Sequence, residues 1–202
     1  MAGLLDAEFI DLCFQNPSNK RLFGHLVKSG LPHWVITSGC LFQTVWNVQL
    51  GRPPAQGILD YDVFYFDQNL SWASEDVWIS KFSGLSEILS APVELRNQAR
   101  VHLWYEEKFD HSYPPLLSVF DGIDRFLERV AMVGIYASKD GRPELYAPGG
   151  LDDVYGRIVR PTYAQDLPEV YAAKAARLVT QWPDVTVMPW LSCDTKNENA
   201  GS

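Results

Sequence analysis

The sequence predicts a mixed α/β (α+β) domain, a mixed sheet flanked by helices with a C-terminal helical extension. Three observations carry this expectation. The 202 residues are 47% apolar and 13% aromatic, enough for one sizeable core. Segments with apolar residues at helical spacing alternate with short runs rich in valine, isoleucine and aromatics. No internal repeat or long linker interrupts the pattern. The simplest division is N-terminal helices over 1–30 packing on a core domain over 31–190, followed by a disordered tail over 191–202.

Taken in order, residues 4–15 read as a helix with Leu4, Leu5, Phe9, Leu12 and Cys13 on one face. Pro17 breaks it, and Ser18 can cap a second helix carrying Leu22, Phe23, Leu26 and Val27, with Gly30 as its stop. The short apolar run HWVI then reads as a strand. A buried helix opens at Ser38–Gly39, with Leu41, Phe42, Val45 and Trp46 on one face. GRPPAQG must be a loop, and residues 58–66 follow as a strand. Ser71 caps a helix to about Leu89, with Glu75 and Asp76 in the first turn, where the macrodipole favours acids. PVELRNQARVHLWY reads as one long strand, or two broken near Asn97–Gln98, and DHSYPP as a loop. Ser118 and Asp121 suit a capping box opening a helix that carries Ile123, Phe126, Leu127 and Val130. A hairpin turns at Asp140–Gly141, and residues 166–181 form a last amphipathic helix ended by Pro183.

Composition excludes several classes of function. The net charge is −8, which argues against generic nucleic-acid binding, though not against a local basic pocket for a nucleotide. No run of about 18 apolar residues suggests a membrane-spanning helix. The start carries Asp6, Glu8 and Asp11 and lacks the basic region of a secretory signal. Cys13, Cys40 and Cys193 are odd in number and widely spaced, which suggests reduced thiols and a cytoplasmic protein.

The chemistry concentrates in GILDYDVFYFD. Asp60 and Asp62 stand two apart in an apolar, aromatic run, although strands disfavour aspartate. On a strand they face the same way, and two such anions repel unless a proton or a cation intervenes. Mg²⁺ or Mn²⁺ suits such hard oxygen ligands and completes its shell with water and substrate phosphates. The alternative is a strand end with two solvated acids. Glu94 opens another apolar strand, and if that strand lies beside 58–66, three carboxylates converge and can serve two-metal phosphoryl transfer. Arg96, two residues on, faces the same side, either to neutralise phosphate or as a structural partner for an acid. Arg100 and His102 continue that face if the strand is regular. Ser38–Gly39 at a helix start lets backbone N–H groups approach a phosphate.

In this order, these pieces resemble the DNA polymerase β-like nucleotidyltransferase superfamily. More narrowly, GCLFQTVWN, GILDYDVFYFD, LSWASEDVW, VELRNQARVHLWYEEKF and APGGLDDVYGRIVRP resemble a bacterial nucleotidyltransferase-like family over about residues 20–190. The resemblance implies that Asp60 and Asp62 are the paired metal-binding carboxylates and Glu94 the third acid. It implies that Gly39 lies near the triphosphate of a bound NTP; Ser38, Arg96 and Arg100 are further candidate nucleotide contacts from the helix-start and strand-face reading above. The implied reaction moves a nucleoside monophosphate from an NTP to an unknown hydroxyl acceptor on a small molecule, a nucleic-acid end or a protein. One departure is Cys40, where the motif usually has Gly or Ser, and no lysine stands beside the acids in the sequence. Both leave open a second reading, a catalytically degenerate nucleotide-binding or protein-interaction module on the same fold. A metal-dependent glycosyltransferase also uses Asp-x-Asp, but such domains are normally longer, and Glu94 and Ser38–Gly39 would be unexplained.

Overall fold

The structure is a computed structural model and describes residues 2–89 and 91–191. The chain opens with α1 (Ala2–Cys13) and α2 (Pro17–Ser29), followed by β1 (Val35–Thr37), α3 (Gly39–Gln49) and β2 (Tyr61–Tyr65). Next come α4 (Trp72–Phe82), α5 (Leu85–Leu89), β3 (Val93–Asn97), a 3₁₀ turn over Gln98–Leu103, α6 (Tyr105–Phe109) and α7 (Val119–Ile123). A 3₁₀ turn over Arg129–Ala131 leads into the hairpin β4 (Gly134–Ala137) and β5 (Pro143–Tyr146). The chain then forms α8 (Asp152–Tyr155), β6 (Ile158–Val159), α9 (Pro168–Gln181) and β7 (Thr186–Val187). The main sheet has the order β3-β2-β1-β4-β5, with β2 and β3 parallel and the other neighbours antiparallel.

Strand periodicity divides the residues of β2 between two environments. Tyr61, Val63 and Tyr65 are buried in the main core with Phe9, Leu22 and Leu26 of the first two helices and Leu41, Val45 and Trp46 of α3. Asp62 and Phe64 point to the opposite face. There Phe64 stacks on Phe126 at 5.6 Å, in a smaller apolar cluster with Val35, Val119 and Ile123. That cluster covers part of the second face and leaves a cleft over the rest. The first two helices are tied to the sheet by polar contacts as well. Asn16 donates to Thr44 Oγ1 and to the Tyr61 hydroxyl, and Asn19 donates to the carbonyl of Cys40.

The close fit of α7 on the sheet requires Gly134, where an added Cβ would lie 2.6 Å from Val35 Cγ2 and 2.7 Å from Ile123 Cδ1. Both neighbours are fully buried and have little room to retreat. Gly134→Ala is therefore expected to lower stability by about 1–3 kcal/mol, read from a urea midpoint, and an unchanged midpoint would refute this packing.

Several sequence expectations are corrected in detail. The second helix is capped by Asn16, whose side chain accepts from the Ser18 amide. Pro17 occupies the first helical position, where its missing N–H has no intrahelical role. The helix after Ser71 breaks at Ser83–Gly84 into α4 and α5. The long strand after Pro92 stops at Asn97, whose side chain accepts from the Ala99 amide and donates to the Asp67 carbonyl. The backbone then tightens into a 3₁₀ turn, which removes Arg100 and His102 from the strand face. The capping box at Ser118 and Asp121 forms, but α7 ends at Ile123. Beyond it the backbone pairs elsewhere: the Thr162 amide donates to Leu127 O and the Arg129 amide to Arg160 O. The tail, with Cys193, lies outside the described residues apart from Leu191.

Candidate active site

A single row across three strands assembles the site. Thr37 of β1 lies opposite Asp62 of β2, and Asp62 lies opposite Glu94 of β3. Asp60 is two residues before Asp62, at the mouth of the strand, and Ser38–Gly39 follow Thr37 directly. The row therefore joins the start of α3 to the carboxylates. Ser38, Gly39, Asp60, Asp62, Glu94 and Arg96 all line one cleft of about 480 Å³.

The backbone at the start of α3 is shaped for close approach. Ser38 has φ 67° and ψ −137°, a conformation that glycine adopts readily, and its side chain makes no cap hydrogen bond. A Cβ on Gly39 would meet Gln43 Nε2 at 2.7 Å, so a larger residue there would have to displace the end of the Gln43 side chain. Cys40 turns away from the cleft. Its thiol is buried, donates to the Thr37 carbonyl at 3.4 Å, and is pushed up in pKa by that burial. The departure from the motif thus falls on a core residue, and Ser38 and Gly39 are the pair beside the acids. Ser38→Val should lower stability by about 1–3 kcal/mol, because a β-branched residue fits this backbone poorly, whereas Ser38→Gly should hold or raise it. Equal melting curves for both variants and the parent would count against strain at this position.

The carboxylates perturb one another. Burial, then the charges of Asp60 and Glu94, raise Asp62 from 3.8 to about 7, against the opposing pull of Lys174 and Arg96. Burial and Glu94 also raise Asp60, opposed by Arg177. Glu94 and Arg96 form an ion pair at 3.4 Å, with their side chains 47% and 46% exposed, so the pair contributes little to stability. Among the described residues, no group of three or more His, Cys, Asp or Glu side chains is positioned to hold a metal ion. The donor set suits a cation held by one or two carboxylates whose shell is completed by phosphate oxygens and water.

Arg100 is the expected site residue that the fold does not bring to the cleft. Its Nε lies 2.8 Å from Glu75 Oε2, both side chains are buried, and its guanidinium also meets the Leu70 carbonyl and the Trp72 ring. The break at Asn97 explains this, since only a continued strand would have kept Arg100 in line with Glu94 and Arg96. His102 likewise does not line the cleft.

Sequence reasoning missed the opposite wall. The C-terminal helix α9 buries Tyr171, Ala175 and Leu178 and presents Lys174 and Arg177 to the cleft, so the expected extension is part of the site. These are the cations whose charges oppose the shifts of Asp62 and Asp60. Their separation of three on one helix was the available signal, but nothing local tied them to acids more than a hundred residues earlier. Glu128, Gln165, Lys108 and Arg125 also line the cleft. No helix among the described residues is long and apolar enough to cross a membrane.

Fold and cleft together define a mixed α/β domain with acids beside a helix start. The comparisons make that class specific. A family model described as nucleotidyltransferase matches residues 25–187, and the chain belongs to that family. A solution-NMR structure described as revealing a CCA-adding enzyme head domain superposes with a TM-score of 0.74 at 22% identity, covering 91% of this chain and 96% of that one. At that identity the likeness is one of fold. No curated protein matches the chain.

Proposed function

We propose that this nucleotidyltransferase moves a nucleoside monophosphate from a nucleoside triphosphate to a hydroxyl acceptor, releases pyrophosphate and requires Mg²⁺ or Mn²⁺. The observation that supports it most is the row Thr37–Asp62–Glu94, which sets two carboxylates beside the start of α3, with Asp60 two residues away. In the reaction, the acceptor oxygen bonds to the α-phosphorus. The bond from that phosphorus to the bridging oxygen of the β-phosphate breaks, and the hydroxyl proton is released.

Of Asp60, Asp62 and Glu94, one or two at a time would hold a cation together with phosphate oxygens and water, and the cation when bound supplies charge neutralisation and orientation of the phosphate oxygens. The amides opening α3 face an anion favourably, since the first turn of a helix has unpaired donors. Arg96, Lys174 and Arg177, which line the same cleft, add fixed positive charge where phosphate charge shifts during transfer. Glu94, which is exposed at the rim, would accept the proton of an incoming hydroxyl. Catalysis then rests on positioning and electrostatics, with no covalent intermediate.

The test is calorimetric titration of ATP, GTP, CTP and UTP, with and without Mg²⁺ or Mn²⁺. It compares the parent protein with an Asp60→Ala/Asp62→Ala double variant. Metal-dependent binding that the double variant loses is expected. Absence of binding to every nucleotide under every condition would overturn the proposal. Tight binding without transfer to any acceptor class would favour a nucleotide-binding module of the same fold.

A further inference from the structure

The cleft extends past the carboxylates. β2 and β3 run parallel, and Phe64 and Gln98, which also line it, lie further along the chain than Asp62 and Glu94. At the rise of a strand, Phe64 stands about 13 Å from Asp60. Gly122 of α7 closes on this part, because a Cβ there would run into the Gln98 amide and lie 3.2 Å from Phe64 Cδ2. Arg125 follows three residues later and lines the cleft with Lys108, Tyr105 and Tyr113. These two cations stand apart from the acids. The positive charges that act on Asp60 and Asp62 are those of Arg96, Lys174 and Arg177, whereas Arg125 acts on Tyr105, Tyr113 and Asp121.

Both cations are held in place without a counter-charge. The Arg125 guanidinium lies 4.8 Å from the centre of the Tyr113 ring, and Lys108 Nζ lies 5.2 Å from that of Phe109 and 5.5 Å from that of Trp104. Neither charged group makes a hydrogen bond or an ion pair with a described residue. Asp121 is already engaged by the Ser118 hydroxyl at 2.6 Å and by the Leu117 and Ser118 amides. The phenols supply no charge either, since burial raises Tyr105 and brings Tyr113 to about 12. The frame is fixed: Gln165 Nε2 donates to Arg125 O at 3.1 Å, and the Tyr105 and Tyr113 rings pack 4.2 Å apart. A guanidinium so placed offers a planar fork of donors that suits a carboxylate or a phosphate. The surroundings limit the size of that anion. Glu106, Glu107, Asp110 and Asp124 are exposed around the two cations, and the chain carries a net charge of −8. Such a surface repels a polyanion laid across it and spares a compact anion seated inside.

We infer that Arg125 and Lys108 form an acceptor subsite, and that the acceptor is a small hydroxyl compound carrying a carboxylate or a phosphate. Its anion binds between these cations while its hydroxyl reaches back towards Glu94. The hydroxyl oxygen then bonds to the α-phosphorus, its proton passes to Glu94, and pyrophosphate leaves. This inference rests on the nucleoside triphosphate reading given above.

The experiment is calorimetry on the full chain with Mg²⁺. ATP, GTP, CTP and UTP are titrated first. The phosphate site is then filled with the α,β-methylene analogue of the nucleotide that binds best, which cannot release pyrophosphate. Matched probes follow: glycerol 3-phosphate against glycerol, 4-hydroxybenzoate against 4-hydroxybenzamide, and an oligoadenylate. In at least one pair the anion should bind about tenfold or more tightly than its neutral partner, and the pair that shows it tells phosphate from carboxylate. Arg125→Gln and Lys108→Gln should each reduce that preference to about threefold or less, with nucleotide affinity unchanged. Thermal melts confirm that each variant is folded, and the comparison within the parent protein stands even where a variant is not. Equal binding within both pairs, no binding of any probe, or tighter binding of the oligoadenylate would overturn the inference. Weakening of the nucleotide as much as of the anion in folded variants would also overturn it, since the cations would then belong to the nucleotide. Anion binding of the expected kind with no binding of any nucleotide would overturn the nucleoside triphosphate reading instead, so the two failures are distinguishable.

Discussion

Asp62→Asn should abolish nucleotidyl transfer and, in the metal-free protein above pH 7, make the fold more stable. The two effects share one cause. Asp62 sits opposite Glu94 and two residues from Asp60, and burial with those charges lifts its pKa from 3.8 to about 7. A carboxyl whose folded pKa lies above its unfolded value contributes stability below about pH 4 and loses it as the pH rises towards about 7. Above that, the metal-free fold carries an ionised Asp62 against two like charges, and asparagine removes this penalty. After allowance for solvent around the cleft, the gain is about 2 kcal/mol, or roughly 5 °C in melting temperature with EDTA at pH 8. Mg²⁺ and nucleotide should reverse the order, because the parent gains ligand-linked stability that the variant does not. Turnover should fall by about a thousandfold or more, since the lost carboxylate is one of those proposed to hold the cation and shape the phosphate site. Undiminished transfer by Asp62→Asn would refute the assignment of the site. Identical pH–stability curves for variant and parent would refute the electrostatic account.

Arg100→Ala should unfold the protein more readily than any single change at the cleft, by about 3–5 kcal/mol, because it leaves a buried carboxylate unpaired. Glu75 is committed on both oxygens: Oε2 to the Arg100 guanidinium at 2.8 Å, and Oε1 to the Asn97 amide, which donates at 2.9 Å. That second bond anchors the residue where β3 ends and the 3₁₀ turn begins. The ion pair thus ties α4 to the strand that carries Glu94. Urea denaturation should show the loss. Replacing both residues, as in Arg100→Met/Glu75→Leu, should cost less than Arg100→Ala alone, because no orphaned charge remains. A folded Arg100→Ala variant of parental stability but weakened nucleotide affinity would return Arg100 to the site and contradict its placement here.

Much of the site was legible because its signals are local. An acid at every second position of an apolar run announces one strand face, and a Ser-Gly pair before a buried helix announces a close backbone approach. Arg96 was legible for the same reason, two residues from Glu94 on a regular strand. Arg100 was not, because its direction depends on Asn97, and whether an asparagine ends a strand is decided by what it can bind. Here it reaches the Asp67 carbonyl, thirty residues away in sequence. Cys40 looked like a flaw in the phosphate motif, but the path of the chain into α3 sends its thiol inward and leaves Ser38 in the conformation that counts.

The sequence by itself determined the mixed α/β class, the order of the principal elements, the paired acids and the helix start beside them. Each depends on periodicities of two or 3.6 residues, or on a neighbour within a few positions. Only the tertiary structure decided the register that puts Asp62 between Thr37 and Glu94. It also decided the removal of Arg100 to a structural ion pair, and the return of α9 to set Lys174 and Arg177 across from the acids. Those outcomes depend on contacts between segments far apart in the chain. Local propensity carries no record of such contacts, because burial and pairing of the whole fold select them.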